Sequence, residues 1–322
     1  MMLQSISISN QRIPGWGIYL VTEIQVQTAL KKLKRKIPYG WDMNIYRGCS
    51  HGCCYCYALY SHNYLGCKDQ NDFYHEIYVK KNIVDVLERE LSAPGWKRDV
   101  INLGGVTDSY QPAEKKYKIM PELLKLLIKY KTPAIISTKS SLVLRDYDLI
   151  EELSRITYVN IAATITTVDE ELQKLIEPGA SPSTERFDVL KNFSGTGCST
   201  GLHIMPIIPF LTDNEDNLDS LLSNGTGCQV DYVLPGVLYL RGKTRKVFFD
   251  FIKEHFPDLL DRYRELYPRG GAGKKYKDSL YKMFNCLRDH YRLSKSYMKP
   301  MREKLEQQHF KQISIEEIIN YD

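Results

Sequence analysis

The sequence predicts an α/β protein: a partial (β/α)6 barrel with an N-terminal extension and a C-terminal helical appendage. Short apolar runs alternate with amphipathic stretches of helical period, which is the pattern of parallel βαβ units. Six such units can be traced, and six fit a partial or open barrel better than a sandwich. Beyond Pro257 the alternation stops and only charged helical periodicity remains. These features divide the chain into an extension over residues 1–38, a barrel over 39–256 and a helical region over 257–322.

The elements follow in order. After a polar start comes a basic patch, Lys31-Lys32-Leu33-Lys34-Arg35-Lys36, then an extended stretch from Trp41 to Tyr46. A cysteine-rich loop leads to a helical pattern at Ile83 to Leu91. A strand at Val100 to Leu103 ends in Gly104-Gly105. A helix at Glu114 to Tyr130 precedes a strand at Ala134 to Ser137, and one at Arg145 to Leu153 precedes Val159 to Ile165. Helical segments at Asp169 to Ile176 and Glu185 to Phe193 lead to the apolar strand Gly201 to Ile208. Then come a helix at Asn214 to Leu222, a strand at Tyr232 to Leu234 and a helix at Thr244 to His255. Helical patterns at Asp261 to Leu266, Lys275 to Tyr291, Lys295 to Gln308 and Ser314 to Tyr321 complete the chain.

At 322 residues and 43% apolar, the chain can bury a substantial core, and its formal charge of +5 makes the surface mildly basic. The N-terminus has no basic region followed by an apolar one, and no apolar run approaches the ~18 residues of a membrane span. The expectation is a cytoplasmic protein without a membrane partner, in which the eight cysteines stay reduced and clustered ones bind metal.

Cys49, Cys53 and Cys56 stand at C-x3-C-x2-C spacing in Tyr46-Arg47-Gly48-Cys49-Ser50-His51-Gly52-Cys53-Cys54-Tyr55-Cys56-Tyr57. A structural zinc site or closed iron–sulfur cluster normally takes four protein ligands. Three thiolates on one short loop therefore suggest a metal centre with one position open. Zinc, with His51 as fourth ligand, is the alternative, and would make the chain a zinc-stabilised nucleic-acid-binding module. Cys54 breaks the spacing and reads as a passive small residue; Cys67, Cys198, Cys228 and Cys286 are scattered, and buried small hydrophobes are their default.

The cysteine loop resembles that of the radical S-adenosylmethionine superfamily. Further segments in matching order are similar to photoproduct lyases and their relatives: Thr107-Asp108-Ser109-Tyr110-Gln111-Pro112-Ala113-Glu114, Thr138-Lys139-Ser140, Leu142 to Asp146, Glu177-Pro178 to Glu185-Arg186, and His203 to Pro209. The resemblance spans about residues 40 to 240. It implies a [4Fe–4S] cluster on the three cysteines, S-adenosylmethionine chelated by the fourth iron, a 5′-deoxyadenosyl radical, and an electron donor such as flavodoxin or ferredoxin.

It also implies cofactor contacts. Gly104 and Gly105 let backbone approach a ligand, and Thr107 with Asp108 would accept from the methionine ammonium. The family often uses Gly-Gly-Glu there, and Val106 replaces the acid here; a tight turn with Asp108 capping the next helix is the alternative reading. Lys139 would pair with the methionine carboxylate, or be a surface lysine. Thr164 and Thr166 would meet the carboxylate or ribose, or simply suit a strand. Tyr55 would lean on the adenine, with backbone contacts from Met205, Pro206 and Ile207. His203 reads as a core histidine.

The photoproduct-lyase likeness points to a DNA or RNA substrate, and the basic–aromatic patches Lys115 to Lys118 and Arg269 to Lys277 suit phosphate contacts or a solvated face. RNA, peptide or small-metabolite modification is the second enzymatic reading. No motif matches the lyase's hydrogen-donating thiol; Cys228 and Cys286 are the candidates. Oligomeric state is not legible.

Overall fold

The computed structural model describes residues 5–13, 17–34, 39–66, 69 and 71–306. Arg35, Lys36, Cys67 and the helix expected at Ser314 to Tyr321 lie outside them. Strands are β1 (Ser5–Ile13), β2 (Gly17–Ile24), β3 (Lys31–Lys32), β4 (Trp41–Met43), β5 (Tyr46–Arg47), β6 (Glu76–Lys80), β7 (Ile101–Leu103), β8 (Ala134–Thr138), β9 (Val159–Thr164), β10 (Ser199–Ile207) and β11 (Tyr232–Val237). Helices are α1 (Asp72–His75), α2 (Ile83–Leu91), α3 (Glu114–Tyr117), α4 (Ile119–Lys129), α5 (Tyr147–Ile156), α6 (Glu170–Ile176), α7 (Ser183–Ser194), α8 (Glu215–Gly227), α9 (Lys243–His255), α10 (Leu260–Leu266) and α11 (Lys274–His290).

Six strands, β4, β7, β8, β9, β10 and β11, run parallel and neighbour one another in chain order, and β3 adds an antiparallel edge beside β4. That is the partial barrel expected from six βα units. Helices coat one side of the sheet. Ile101 and Leu103 of β7 pack with Val86 of α2, Leu123 of α4 and Leu153 of α5 in one continuous core. Asn102 and Asp42 face the other way and hydrogen-bond each other at 2.8 Å inside the barrel.

Two features depart from expectation. The polar start is a sheet: β1 pairs antiparallel with β2, β2 runs parallel to β6, and β6 pairs with β5 immediately before the first cysteine. The helix expected from Glu114 to Tyr130 is two helices. Lys118 between them is left-handed at φ 48°, and the Glu114 carboxylate accepts from Ile119 N and Met120 N at 3.2 and 3.0 Å, capping the second.

The C-terminal helices also do more than extend the barrel. Phe248 of α9 and Tyr263 of α10 share an apolar cluster with Cys53, Cys54 and Tyr55, so this region covers one side of the cysteine loop. Residues 298–306 are helical, and Met301 packs against Val100, Ile135 and Tyr158.

Candidate cofactor site

The cysteine loop leaves β5 and is clasped from three sides. Gln111 is fully buried; its carboxamide accepts from Ser50 N at 3.1 Å and donates to Gly48 O at 3.0 Å. His51 Nδ1 lies 2.8 Å from Gly179 O and Nε2 lies 3.1 Å from Asp108 Oδ2. From the α6–α7 link, Gly179 N donates to His51 O, and Cys54 N donates to Ile176 O. A Cβ on Gly179 would stand 2.2 Å from Ser50 O, so only glycine allows this approach.

Inside the clasp Cys49 and Cys53 are buried and Cys56 is partly open. Burial pushes the Cys49 and Cys56 thiols up to about 12, and Cys53 higher still. Neighbouring thiols add to each rise: Cys56 on Cys49, Cys49 on Cys53 and Cys53 on Cys56. Three mutually repelling buried thiolates require positive charge to form. Lys139 opposes the rise at Cys53 and Cys56, and Arg186 opposes it at Cys53.

Glu177 and Arg186, which sequence reasoning placed only inside a resembling block, make a fully buried ion pair at 2.5 Å. Burial raises the Glu177 carboxyl, with the Arg186 charge opposing. Arg186 Nη1 also donates to Thr164 O at 2.8 Å and Nε to Ser181 O at 2.7 Å. Tyr55 donates its hydroxyl to Glu177, tying the pair to the cysteine loop. Arg186 Nη2 is buried with no hydrogen-bond partner among the described residues. A cationic N–H without an acceptor, whose charge reaches Cys53, fits an anionic group bound at the loop.

The structure brings together most of the expected residues and reassigns several. Lys139 follows β8, with its Nζ 5.8 Å over the Tyr55 ring and no ion pair among the described residues, as a carboxylate-binding lysine requires. Asp108 is already engaged. It accepts from Tyr110 N and Lys139 N at 2.8 Å each and from Thr138 Oγ1, besides facing His51. Burial alone would raise its pKa, but the His51 interaction and these bonds bring it down to about 2. Asp108 is therefore a brace between the β7 and β8 loops, not a spare acceptor for an ammonium.

Thr107 N donates to Asn44 Oδ1 and its hydroxyl to Tyr46 O, so it too is structural. Gly104 is left-handed at φ 87°, and a Cβ on Gly105 would meet Asp42 Oδ1 at 2.2 Å: the glycine pair is required by internal packing. Thr166 donates to Glu177. Thr164, His203, Met205 and Pro206 lie along the C-terminal halves of β9 and β10 or just beyond, while Ile207 is buried in the outer core with its carbonyl bound to Leu238 N.

His203 Nε2 is 3.3 Å from Tyr232 Oη, whose hydroxyl donates to Asn160 Oδ1; burial, then Lys139, take its pKa down to about 4, so the ring is neutral near pH 7.

Cys228 and Cys286 are not at this site. Cys228 ends α8, next to the start of β11 and so at the opposite face from the cysteine loop, and its thiol donates to Phe187 O. Cys286 is exposed on α11. Neither is placed to return a hydrogen to anything bound at the loop. Zinc with His51 finds no support: Nδ1 is bound at Gly179 O and Nε2 faces Asp108 at 3.1 Å, and among the described residues no three His, Cys, Asp or Glu side chains are arranged to hold one ion. A cluster places each thiolate on a separate iron and makes no such demand.

A barrel of parallel strands whose first loop carries three spaced thiols defines a class of enzyme. Residues 43–222 match the model of the radical SAM superfamily, and the chain belongs to that superfamily. It is 35% identical to an uncharacterized protein of Mycobacterium tuberculosis over 265 residues, covering 82% of this chain and 78% of the relative. An uncharacterized protein of Methanocaldococcus jannaschii is 34% identical over 181 residues, 56% of this chain and 65% of the relative. Among solved structures, spore photoproduct lyase complexed with dinucleoside spore photoproduct superposes with a TM-score of 0.61 at 14% identity, covering 84% of this chain and 79% of that one. At that identity the likeness speaks for the fold.

Proposed function

We propose that Cys49, Cys53 and Cys56 hold a [4Fe–4S] cluster, that S-adenosylmethionine occupies its open iron, and that the enzyme acts on a nucleic acid. The observation that carries this reading is the convergence on one buried loop of three thiols, the Lys139 ammonium and the unpartnered Arg186 Nη2. When bound, the cluster and S-adenosylmethionine supply a 5′-deoxyadenosyl radical after reduction by a flavodoxin- or ferredoxin-like donor.

The chain's own residues bind and orient. Lys139 pairs with the methionine carboxylate and Arg186 supplies a second positive charge beside Cys53. Thr164, whose hydroxyl makes no bond among the described residues, is available to the ribose. Neutral His203 and the Met205–Pro206 backbone flank the adenine. The apolar cover from Phe248 and Tyr263 keeps water from one side of the loop.

A nucleic-acid substrate is supported by the fold shared with spore photoproduct lyase, whose structure holds a dinucleoside photoproduct, and by the basic surface. The test is calorimetric: S-adenosylmethionine binding to the anaerobically reconstituted protein, with Lys139→Met expected to bind roughly 10- to 100-fold more weakly, the loss of one charge-assisted contact. Equal affinity would remove Lys139 from the site. Production of 5′-deoxyadenosine that rises when an oligonucleotide is added supports the substrate class; a rise with peptides alone contradicts it.

A further inference from the structure

Beside the cysteine loop two cavities, of about 870 and 710 Å3, adjoin across Asp42, Tyr60 and Val106. The chain buries many tyrosines completely, Tyr46, Tyr110 and Tyr158 among them, yet exposes Tyr57 by 62%, Tyr60 by 48%, Tyr64 by 79% and Tyr239 by 58%. All four line these cavities. Amphipathic rings held at the mouth of a cavity are platforms for flat ligands.

The smaller cavity also contains two cations without an ion-pair partner among the described residues; the one acid in its lining, Asp42, accepts hydrogen bonds from Asn44 and Asn102. Arg47 on β5 lies across from Tyr78 on β6, so Lys80, two residues along the same face, is its diagonal neighbour. Lys80 Nζ donates to Asn44 O, and neither side chain makes an ion pair among the described residues. Arg145, Arg186 and Arg288, by contrast, pair with acids: Arg145 with Glu114 and Asp146, Arg186 with Glu177, Arg288 with Asp289. Burial, then the Arg47 charge, lower Lys80 to about 8, with Asp42 opposing. An anion between them would relieve that repulsion.

We propose that the double cavity is a groove for a single-stranded nucleic acid, in which Arg47 and Lys80 grip a backbone phosphate and Tyr60 and Tyr239 stack on neighbouring bases. Arg47 stands two residues before Cys49, and Thr244, in the wall of the larger cavity, donates to Cys56 O at 2.7 Å. A strand lying in the groove would therefore pass directly beside the cysteine loop. The proposal rests on the nucleic-acid reading and gives it an address.

The experiment measures fluorescence anisotropy of full-length protein with labelled oligothymidylate and oligouridylate across a salt series. Arg47→Gln with Lys80→Gln should weaken binding roughly tenfold or more and flatten the log–log salt dependence by about 0.7, the loss of one single-strand phosphate contact. Tyr60→Ala and Tyr239→Ala should each weaken binding roughly 5- to 100-fold with the salt slope unchanged. Melting temperatures verify folding, and the two tyrosines, being exposed, keep the test alive if the charge variant misfolds. Wild type that binds either oligonucleotide while all variants bind alike overturns the groove and leaves the nucleic-acid reading standing. Wild type that binds neither overturns both, and the tighter of the two oligonucleotides separates DNA from RNA.

Discussion

Around the cysteine loop a dense network holds the chain: Gln111 holds Ser50 and Gly48, Asp108 collects four donors, Glu177 meets Arg186 and Tyr55, and Arg186 Nη2 is left without an acceptor. A few residues further along, at Tyr57, Tyr60 and Tyr64, rings stand open, and Arg47 and Lys80 face a cavity in which neither makes an ion pair among the described residues. The first region is organised in advance and rigid, as a site must be when the same cofactor chemistry is repeated each turnover. The second leaves aromatic rings exposed and two cations without ion pairs at a cavity wall, as a surface that awaits a ligand does. Under the proposed function, one short stretch of chain thus separates what is done from what it is done to.

The comparison can be broken most severely at Arg186. Arg186→Leu leaves the Glu177 charge buried alone and should cost about 3–5 kcal/mol in urea unfolding; removing both charges together should recover much of that. If Arg186→Leu alone unfolds like wild type, the clasp is not rigid.

Asp108 gives a smaller effect with a definite pH signature. Its folded pKa is depressed to about 2, so its contribution is fully present above its unfolded value near 4 and is lost as pH falls toward 2. That contribution is about 2 kcal/mol. Urea midpoints should therefore drop between about pH 5 and pH 2 in wild type, and Asp108→Asn should lose that part of the dependence.

The smallest effect sharpens the contrast from the other side. Tyr60→Ala should change stability by less than about 0.5 kcal/mol, since the ring is half open to solvent. A stability loss comparable to that of Asp108→Asn would make Tyr60 a structural residue.

The barrel strands were legible because apolar runs such as Ala134 to Ser137 and Gly201 to Ile208 carry their own signal. The N-terminal sheet reads as a polar start because of its serines, although Ser5-Ile6-Ser7-Ile8-Ser9 alternates with the period of a half-buried strand. Pro121, in the first turn of α4, marked the break in the long helix, since proline is tolerated only near a helix start. Of the site, the cysteine spacing and Lys139 were readable. The Glu177–Arg186 pair was not, because burial of a charge becomes visible only once the chain that covers it is in place. For the same reason Thr107 and Asp108, which look like ligand contacts in one dimension, turned out to be braces.

The central claim is a cluster on three cysteines with one iron open to S-adenosylmethionine. Mössbauer spectroscopy of protein reconstituted anaerobically with 57Fe, recorded with and without S-adenosylmethionine, tests it most directly. About four irons per chain are expected, with the signal of one of them changing when S-adenosylmethionine is added. Spectra unchanged by S-adenosylmethionine, or a protein that takes up zinc in place of iron, would contradict it.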